Sequence, residues 1–399
     1  MNRFSHYIYM DHSATTPVLK EVADSVYDAM TLFYGNASEP HLLGKESRKM
    51  LEDSRKTIAG ALNASPEEII FTSGGTESNN MAIFGTAEAC FRKGNHIITS
   101  EIEHPAVHMP LKILENEGFK ITYVPIDRYG IVNPDEIRKA IQPETMLISI
   151  MHSNNIMGSI QPIEEIGKTA RQAGIVFHCD AVQSYMNIPL DVKSLNVDLL
   201  TISGHKVYAP KGTGALYIRN SVKTVPQIFG GGQEKGRRSG TENIPGIVGL
   251  AKSTDILFPT IDKRAQELKI LRDYIRDEVI SQIDGVIYNG HNEKRLPGNI
   301  NFTFRDFTGE SLVKKLDECG IAVSAGSACQ NGYAEGNEFL LSMGICQELT
   351  GNSIRISLGF ENTREEADYL IDCLKKICSK NIKSSVVYNS SLKEKYFTF

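Results

Sequence analysis

The chain has 399 residues, of which 23% are charged and 41% hydrophobic, with a net charge of −5. These are ordinary globular values, and the length allows two or three domains, which excludes disordered, collagen-like and disulfide-scaffold proteins. With 43 basic against 48 acidic residues, the chain is a poor match for a nucleic-acid backbone, and no nucleic-acid partner is expected. No apolar run is long enough to span a bilayer, and Met1 to Met10 holds no apolar stretch of a signal peptide, so no membrane partner is expected. The 7 Cys residues are scattered, odd in number and without a C-x-x-C pair, which fits reduced thiols in a cytoplasmic compartment.

From about residue 65 to 220, short apolar runs alternate with helical periodicity. The runs are Ile69–Phe71, Ile97–Thr99, Ile121–Val124, Met146–Met151, Ile175–Phe177 and Leu199–Ile202. Helical patterns occupy 78–92, 106–117, 134–141 and 162–173, and a helix is expected to start near Glu77. This alternation predicts an α/β fold with a parallel sheet and helices on both faces. Polar residues follow most of the runs: Ser73–Thr76, Glu103-His104, Ser153–Asn155, His178–Asp180 and Ser203–Lys206. Ligands of open α/β sheets bind beyond the carboxyl ends of the strands, so these tips predict one site built from many loops. A long helix fits 262–283, then alternating strands at Ile300–Phe304 and Ile354–Leu358 suggest a second domain. Thr363 and Glu366 form a capping box for a last helix striped by Leu370, Ile371, Leu374 and Ile377. A loosely held polar tail is expected from about residue 380.

Six features carry chemistry. Gly74 and Gly75, at a strand-to-helix turn, let backbone amides and a helix N-terminus cradle a phosphate, although a plain tight turn reads the same alone. Lys206, behind Ser203 and His205, is placed to act as a Schiff-base nucleophile if desolvated; taken singly it would be a surface lysine. Asp180, at a strand end, suits a protonated pyridine nitrogen or, more plainly, a helix cap. His104 offers a flat ring for stacking, or a packed or capping histidine; its i, i+4 spacing to His108 lacks the Glu of a zinc motif, so no metal is expected. Together these parts specify pyridoxal phosphate. Finally, Cys329 lies among small residues and glycines, which favours a reactive thiol, whereas Cys90 and Cys378 fall in helical patterns as buried thiols. Arg355, between Ile354 and Ile356, points off their apolar face and can grip a carboxylate or form a surface salt bridge.

These motifs resemble the cysteine desulfurases of the NifS/IscS kind, among the fold-type I, class V aminotransferase-like pyridoxal phosphate enzymes. The matching stretches run from YMDHSATTP near the start through TSGGTESNN (72–80), EHPAV (103–107), NNIMGSIQPI (154–163) and HCDAVQS (178–184). They continue with SGHKVYAPKGTGALY (203–217), GGGQEKGRRSGTEN (230–243), GSAC (326–329) and SIRISLG (353–359). The resemblance implies a large domain over 12–261 with a mostly parallel seven-stranded sheet flanked by helices, and a smaller α+β domain from 1–11 and 262–399 carrying the Cys loop. It implies that Lys206 anchors pyridoxal 5'-phosphate, His104 stacks on its ring, Asp180 holds the pyridinium nitrogen and Gln183 the phenolic oxygen. Gly75, Thr76, Ser203 and His205 take the phosphate, with Thr241 reaching in from the second subunit of a homodimer. Asn155 and Arg355 hold the carboxylate of L-cysteine, and Cys329 accepts its sulfur as a persulfide on a long loop. The implied reaction yields L-alanine and delivers sulfur to an acceptor such as an iron–sulfur scaffold or a thiolation protein. Ile156 stands where relatives carry Glu, and Gln330 and Asn331 stand where they carry small hydroxyl residues; the Tyr333–Asn337 run lacks their Leu-Glu-Pro. The competing classes are a selenocysteine lyase, another Cys lyase or an aminotransferase on the same scaffold, and a non-catalytic interaction protein. Cys329 weighs against most of the first group and Lys206, Asp180 and His104 against the second.

Overall fold

The computed structural model describes residues 7–326 and 335–385, with side chains described for 7–326 and 339–379. Cys329, Gln330, Asn331 and Tyr333 therefore lie outside the described residues, as does the tail from 386. The strands are β1 (Ile8–Tyr9), β2 (Ile69–Thr72), β3 (His96–Ser100), β4 (Lys120–Val124), β5 (Thr145–Ser149), β6 (Val176–Asp180), β7 (Leu199–Ser203) and β8 (Gly214–Ile218). They continue with β9 (Val286–Tyr288), β10 (Asn299–Phe304), β11 (Ile321–Ala322), β12 (Ser324–Ala325) and β13 (Ser353–Ser357).

β2 to β8 form one sheet of 7 strands in the order β2-β8-β7-β6-β5-β3-β4. All neighbours from β7 to β4 are parallel, and β8 alone runs against both its partners. β2, β3, β5, β7 and β8 are buried along their whole length. Crossover helices cover both faces of such a sheet, so its strands read as continuous apolar runs rather than alternations. The helices Gly75–Cys90, Pro105–Asn116, Pro134–Ala140 and Ile163–Ala173 match the periodic stretches within a few residues. The first starts at Gly75 rather than near Glu77, because Gly74, at φ 149°, breaks the chain direction immediately after β2.

His178 to Asp180 and Ser203 lie inside β6 and β7, not beyond them. The sheet accepts His178 because both ring nitrogens are bonded, Nδ1 with Ser149 Oγ at 2.8 Å and Nε2 with Thr201 Oγ1 at 3.1 Å. Burial lowers its pKa to about 3, so it is neutral and structural.

A second sheet has the order β12-β13-β10-β9, and β1 pairs with β11. Ile300, Phe302 and Phe304 of β10 and Ile354 and Ile356 of β13 pack with Met10, Leu268, Ile275, Leu370 and Leu374 into one apolar cluster. Leu268 and Ile275 come from the helix Ile261–Gln282, which agrees with the expected 262–283. The other face of β10 is polar: Asn289 donates to Asn301 and Thr303 at 2.8 and 2.7 Å, and Asn301 sits opposite Arg355 in register. Strand alternation thus turns Arg355 off the apolar side. The capping box forms, with Thr363 N on Glu366 Oε2 at 3.2 Å and Glu366 N on Thr363 Oγ1 at 3.3 Å. Its helix, Arg364–Ser385, extends past the expected start of the tail. No helix among the described residues is long and apolar enough to cross a membrane.

The segment before Thr241 is fastened by a buried ion pair. Arg55 donates to both oxygens of Glu234 at 2.7 and 2.8 Å, and Glu234 also accepts from the backbone N–H of Phe71 at 2.8 Å. Both side chains are 2% exposed. Glu234→Ala would leave the Arg55 charge buried without this partner, and a loss of about 3–5 kcal/mol in urea unfolding is expected. A loss of about 1 kcal/mol or less, as for a surface pair, would refute this reading.

Candidate active site

The strand ends β2, β3, β5, β6 and β7 deliver Ser73, Glu103, Asn154, Asp180 and Ser203 to one edge of the large sheet. At β2, the turn through Gly74 leads into a helix whose first-turn amides, at Gly75, Thr76 and Glu77, have no intrahelical carbonyl. A Cβ on Gly75 would lie 2.8 Å from Val182 Cγ2, and one on Gly214 would lie 2.7 Å from Gly74 Cα. Two glycines are thus required to bring the turn down onto the sheet edge beside Ser203, whose Oγ is 3.8 Å from the position of a Gly74 Cβ. Thr76 is exposed and Ser203 buried at this cradle.

Lys206 follows β7 on a short 3-10 turn. Its Nζ donates to two backbone carbonyls, Ser13 at 2.6 Å and Ala14 at 2.7 Å. Neutral carbonyls orient an ammonium without neutralising it. Burial first, and the nearby Arg355 charge second, lower the Lys206 pKa to about 8, against the opposing pull of Asp11 and Asp180. Gln183 Nε2 donates to the same Ser13 carbonyl at 3.0 Å, which ties the two side chains to one point. His205 Nδ1 lies 3.2 Å from Thr15 Oγ1, and burial, then Lys206, lowers its pKa to about 4.

Asp180 ends β6 and is 5% exposed. Its Oδ2 accepts from Asn79 Nδ2 at 2.7 Å and its Oδ1 from the Val182 N–H at 3.0 Å. Asn79 is one turn into the helix that the glycine cradle begins, so the two features are mechanically one unit. His104 both caps and faces the cleft, its Nδ1 accepting from Ala106 N at 3.1 Å. That bond places the ring proton on Nε2. Its pKa is lowered, by desolvation first and by Lys206, against Asp180.

Arg355 is 4% exposed and donates to Asn155 O at 3.0 Å and to Asp11 Oδ1 at 2.7 Å. Its Nε is buried with no partner among the described residues. A cavity of about 630 Å³ opens beside these groups, lined in part by His104, His108, Tyr123, Asn155, Ile156 and Phe339. Thr241 is exposed and lines a separate cavity of about 110 Å³ with Ser73 and Arg238. The structure therefore brings together Gly75, Thr76, His104, Asn155, Asp180, Gln183, Ser203, His205, Lys206 and Arg355 on one cleft, with Thr241 set beside it.

Pyridoxal phosphate fits these donors. The glycine cradle admits close approach of an anion, Asp180 stays deep at the centre, and among the described residues the Lys206 amine has no carboxylate partner and the Arg355 Nε no acceptor. Several supporting residues have no role assigned in the sequence analysis: Asp11, Ser13, Ala14, Asn79 and Glu103, the last named there only as part of a strand tip. Glu103 is 5% exposed; its Oε1 accepts from Ser100 Oγ at 2.5 Å and Met151 N at 3.0 Å. Burial pushes its carboxyl up to about 8, and it fixes the turn that precedes His104. All five lie within or beside the quoted motifs, which was the available signal.

The model of the aminotransferase class-V family matches residues 8–370. The cysteine desulfurase IscS of Dictyoglomus turgidum is 48% identical over 94% of this chain and 95% of its own length. That of Methanosarcina thermophila is also 48% identical, over 94% and 92%. Among solved structures, a NifS-like protein superposes with a TM-score of 0.89 at 36% identity, covering 94% of this chain and 100% of its own. A second, described as SspA in complex with cysteine, has a TM-score of 0.78 at 35% identity, covering 88% and 98%. These relatives do not favour a selenocysteine lyase or an aminotransferase. The chain belongs to the class-V aminotransferase family and, within it, to the pyridoxal-phosphate-dependent cysteine desulfurases.

Proposed function

We propose that this chain converts L-cysteine to L-alanine on the cleft described above, passing the sulfur through Cys329 to an acceptor protein such as an iron–sulfur scaffold. The observation that carries the residue assignment is the Lys206 amine, held by two backbone carbonyls within the fields of Asp180, Asp11 and Arg355. Gly75, Thr76, Ser203 and His205 would hold the cofactor phosphate, Asp180 its ring nitrogen, Gln183 its ring oxygen and the His104 face its ring. When bound, pyridoxal phosphate supplies an electron sink that weakens the substrate Cβ–S bond.

The chain's own groups do the rest. Arg355 and Asn155 hold the substrate carboxylate, which keeps Cα against Lys206 Nζ. Lys206 Nζ takes the Cα proton and later returns one, a task suited to an amine whose pKa is about 8. The Cys329 thiolate attacks the substrate sulfur. The S–S bond forms as the Cβ–S bond breaks, its electron pair stays with carbon, and carbon takes a proton to give alanine.

The division into 12–261 and 1–11 with 262–399 belongs to the same proposal. It is supported by two separate apolar clusters, one ending at Leu257 and the other containing Met10 and Leu268. A homodimer is supported by the exposed Tyr27, Met30, Leu32, Tyr34 and Leu42. Apolar groups so closely spaced are unusual on a free surface.

The experiment is alanine release from L-cysteine by the purified holoenzyme, with and without a thiol reductant. Alanine with reductant-dependent sulfide is expected; a yellow protein forming no alanine would overturn the proposal. Arg355→Lys keeps the charge but loses the planar two-point grip. It is expected to raise KM for L-cysteine about 10- to 100-fold, the worth of one charge-assisted hydrogen bond, with kcat changed less. An unchanged KM would remove Arg355 from the carboxylate site.

A further inference from the structure

Arg355 and Lys206 belong to different sheets, and one short segment of chain touches both. Arg355 lies on β13 of the second sheet, and Lys206 on the turn after β7 of the large one. On the β13 side, Asp11 forms a bridge with Ser357, His12 N donates to Ser357 O at 3.1 Å and Ser13 N donates to Ser357 Oγ at 2.8 Å. On the β7 side, Thr16 N donates to His205 O at 2.8 Å, and the Ser13 and Ala14 carbonyls hold Lys206 Nζ. Tyr9 Oη donates to Asp11 O at 3.0 Å and to Thr15 O at 2.7 Å, which fixes the shape of the turn. One side chain of this segment reaches the guanidinium itself. Asp11 Oδ1 accepts from Arg355 Nη2 at 2.7 Å, and among the described residues it is the one carboxylate paired with Arg355. The Asn155 carbonyl takes Nη1 at 3.0 Å, and Nε is buried with no acceptor among the described residues. A guanidinium carries five donors in one plane, so fixing Nη1 and Nη2 sets that plane and leaves the remaining donors for an anion.

We propose that Asp11 is a positioning residue for the reaction: it holds the Arg355 guanidinium in the plane that receives the substrate carboxylate and ties that plane to the Lys206 amine. This rests on the carboxylate role given to Arg355 above. Asp11 acts through Arg355 and through the carbonyls that follow it in the chain, and not on the reacting atoms. Its geometry and its charge make separable contributions. The geometric part is an oxygen that accepts from Nη2, which an asparagine amide also supplies. The charge acts on Lys206. Burial, then Arg355, lower the pKa of that amine, and Asp11 and Asp180 oppose them. His104 and His205, which also face the amine, both have lowered pKa values, chiefly through burial, and so are pushed toward the neutral form. Without the Asp11 charge, Asp180 is left as the main upward pull, and the Lys206 pKa falls further.

The test compares Asp11→Asn and Asp11→Ala with the wild type in two measurements. The first is the pH dependence of covalent pyridoxal phosphate uptake by cofactor-free protein, which needs no turnover. Asp11→Asn lacks the charge, so its uptake midpoint is expected at lower pH than that of the wild type. The second is steady-state alanine formation by the holoenzyme. Asp11→Ala is expected to raise KM for L-cysteine about 10-fold, the worth of one hydrogen bond to a charged group. Its kcat is expected to change less, because a carboxylate held equally in ground and transition states affects binding alone. Asp11→Asn keeps an acceptor for Nη2 and is expected to stay within about 3-fold of the wild-type KM. An unchanged KM in Asp11→Ala, or an equal rise in Asp11→Asn, would overturn the positioning role. So would an Asp11→Asn midpoint that does not fall. A wild type that forms no alanine would instead refute the desulfurase reading, and the uptake midpoint would still decide whether Asp11 acts on Lys206.

Discussion

Cys329→Ser protein is expected to bind its cofactor and show its visible absorbance, yet to lose alanine formation by at least about 10³-fold. The step needs a sulfur nucleophile that can carry a second sulfur and then surrender it. A thiolate does both, whereas a serine hydroxyl is neither ionised near neutral pH nor able to pass sulfur on by thiol exchange. Every group proposed to hold the cofactor lies on the large sheet edge or the Ser13-Ala14 segment, so the substitution leaves those contacts intact. The measurement pairs the absorbance spectrum with alanine and sulfide assays. Alanine formed at the wild-type rate would mean that the scaffold runs a different lyase reaction.

Much of this site is legible in the sequence, and the reason is the layout of a parallel sheet. Consecutive βα units place their tips at one edge, so Ser73–Thr76, His104, Asp180 and Lys206 are gathered by topology alone. The partners that position them were not readable. Asp11 meets Arg355 across a sequence separation of 344, and Asn79 meets Asp180 across 101. No local periodicity reports contacts of that range. Asn79 sits on a helix already explained by its apolar and small residues, and Ser13 and Ala14 act through backbone carbonyls, which side-chain identity does not reveal. Boundaries failed for a related reason. Polar residues read as loop, so the sequence puts His178 and Ser203 beyond their strands, whereas cross-strand bonds from Ser149 and Thr201 satisfy His178 inside the sheet.

Lys206→Ala protein is expected to lose alanine formation by about 10²–10⁴-fold, the usual worth of a positioned acid–base group, and to hold its cofactor only non-covalently. A pH series on the wild type separates this role from a merely structural one. The Lys206 amine adds to a carbonyl only when neutral. With its pKa at about 8, the neutral fraction of cofactor-free protein rises about tenfold per pH unit below pH 8 and levels off above it. The rate at which pyridoxal phosphate is taken up covalently should follow that curve, read from the growth of the visible band. The cause of the low value is also testable. Removing the Arg355 charge, as in Arg355→Gln, deletes the second-largest downward influence on Lys206 while Asp11 and Asp180 remain to pull upward. The midpoint of the uptake curve is then expected to move to higher pH. A midpoint that stays in place would mean that burial alone sets the amine, and that Arg355 acts on the substrate without tuning the lysine.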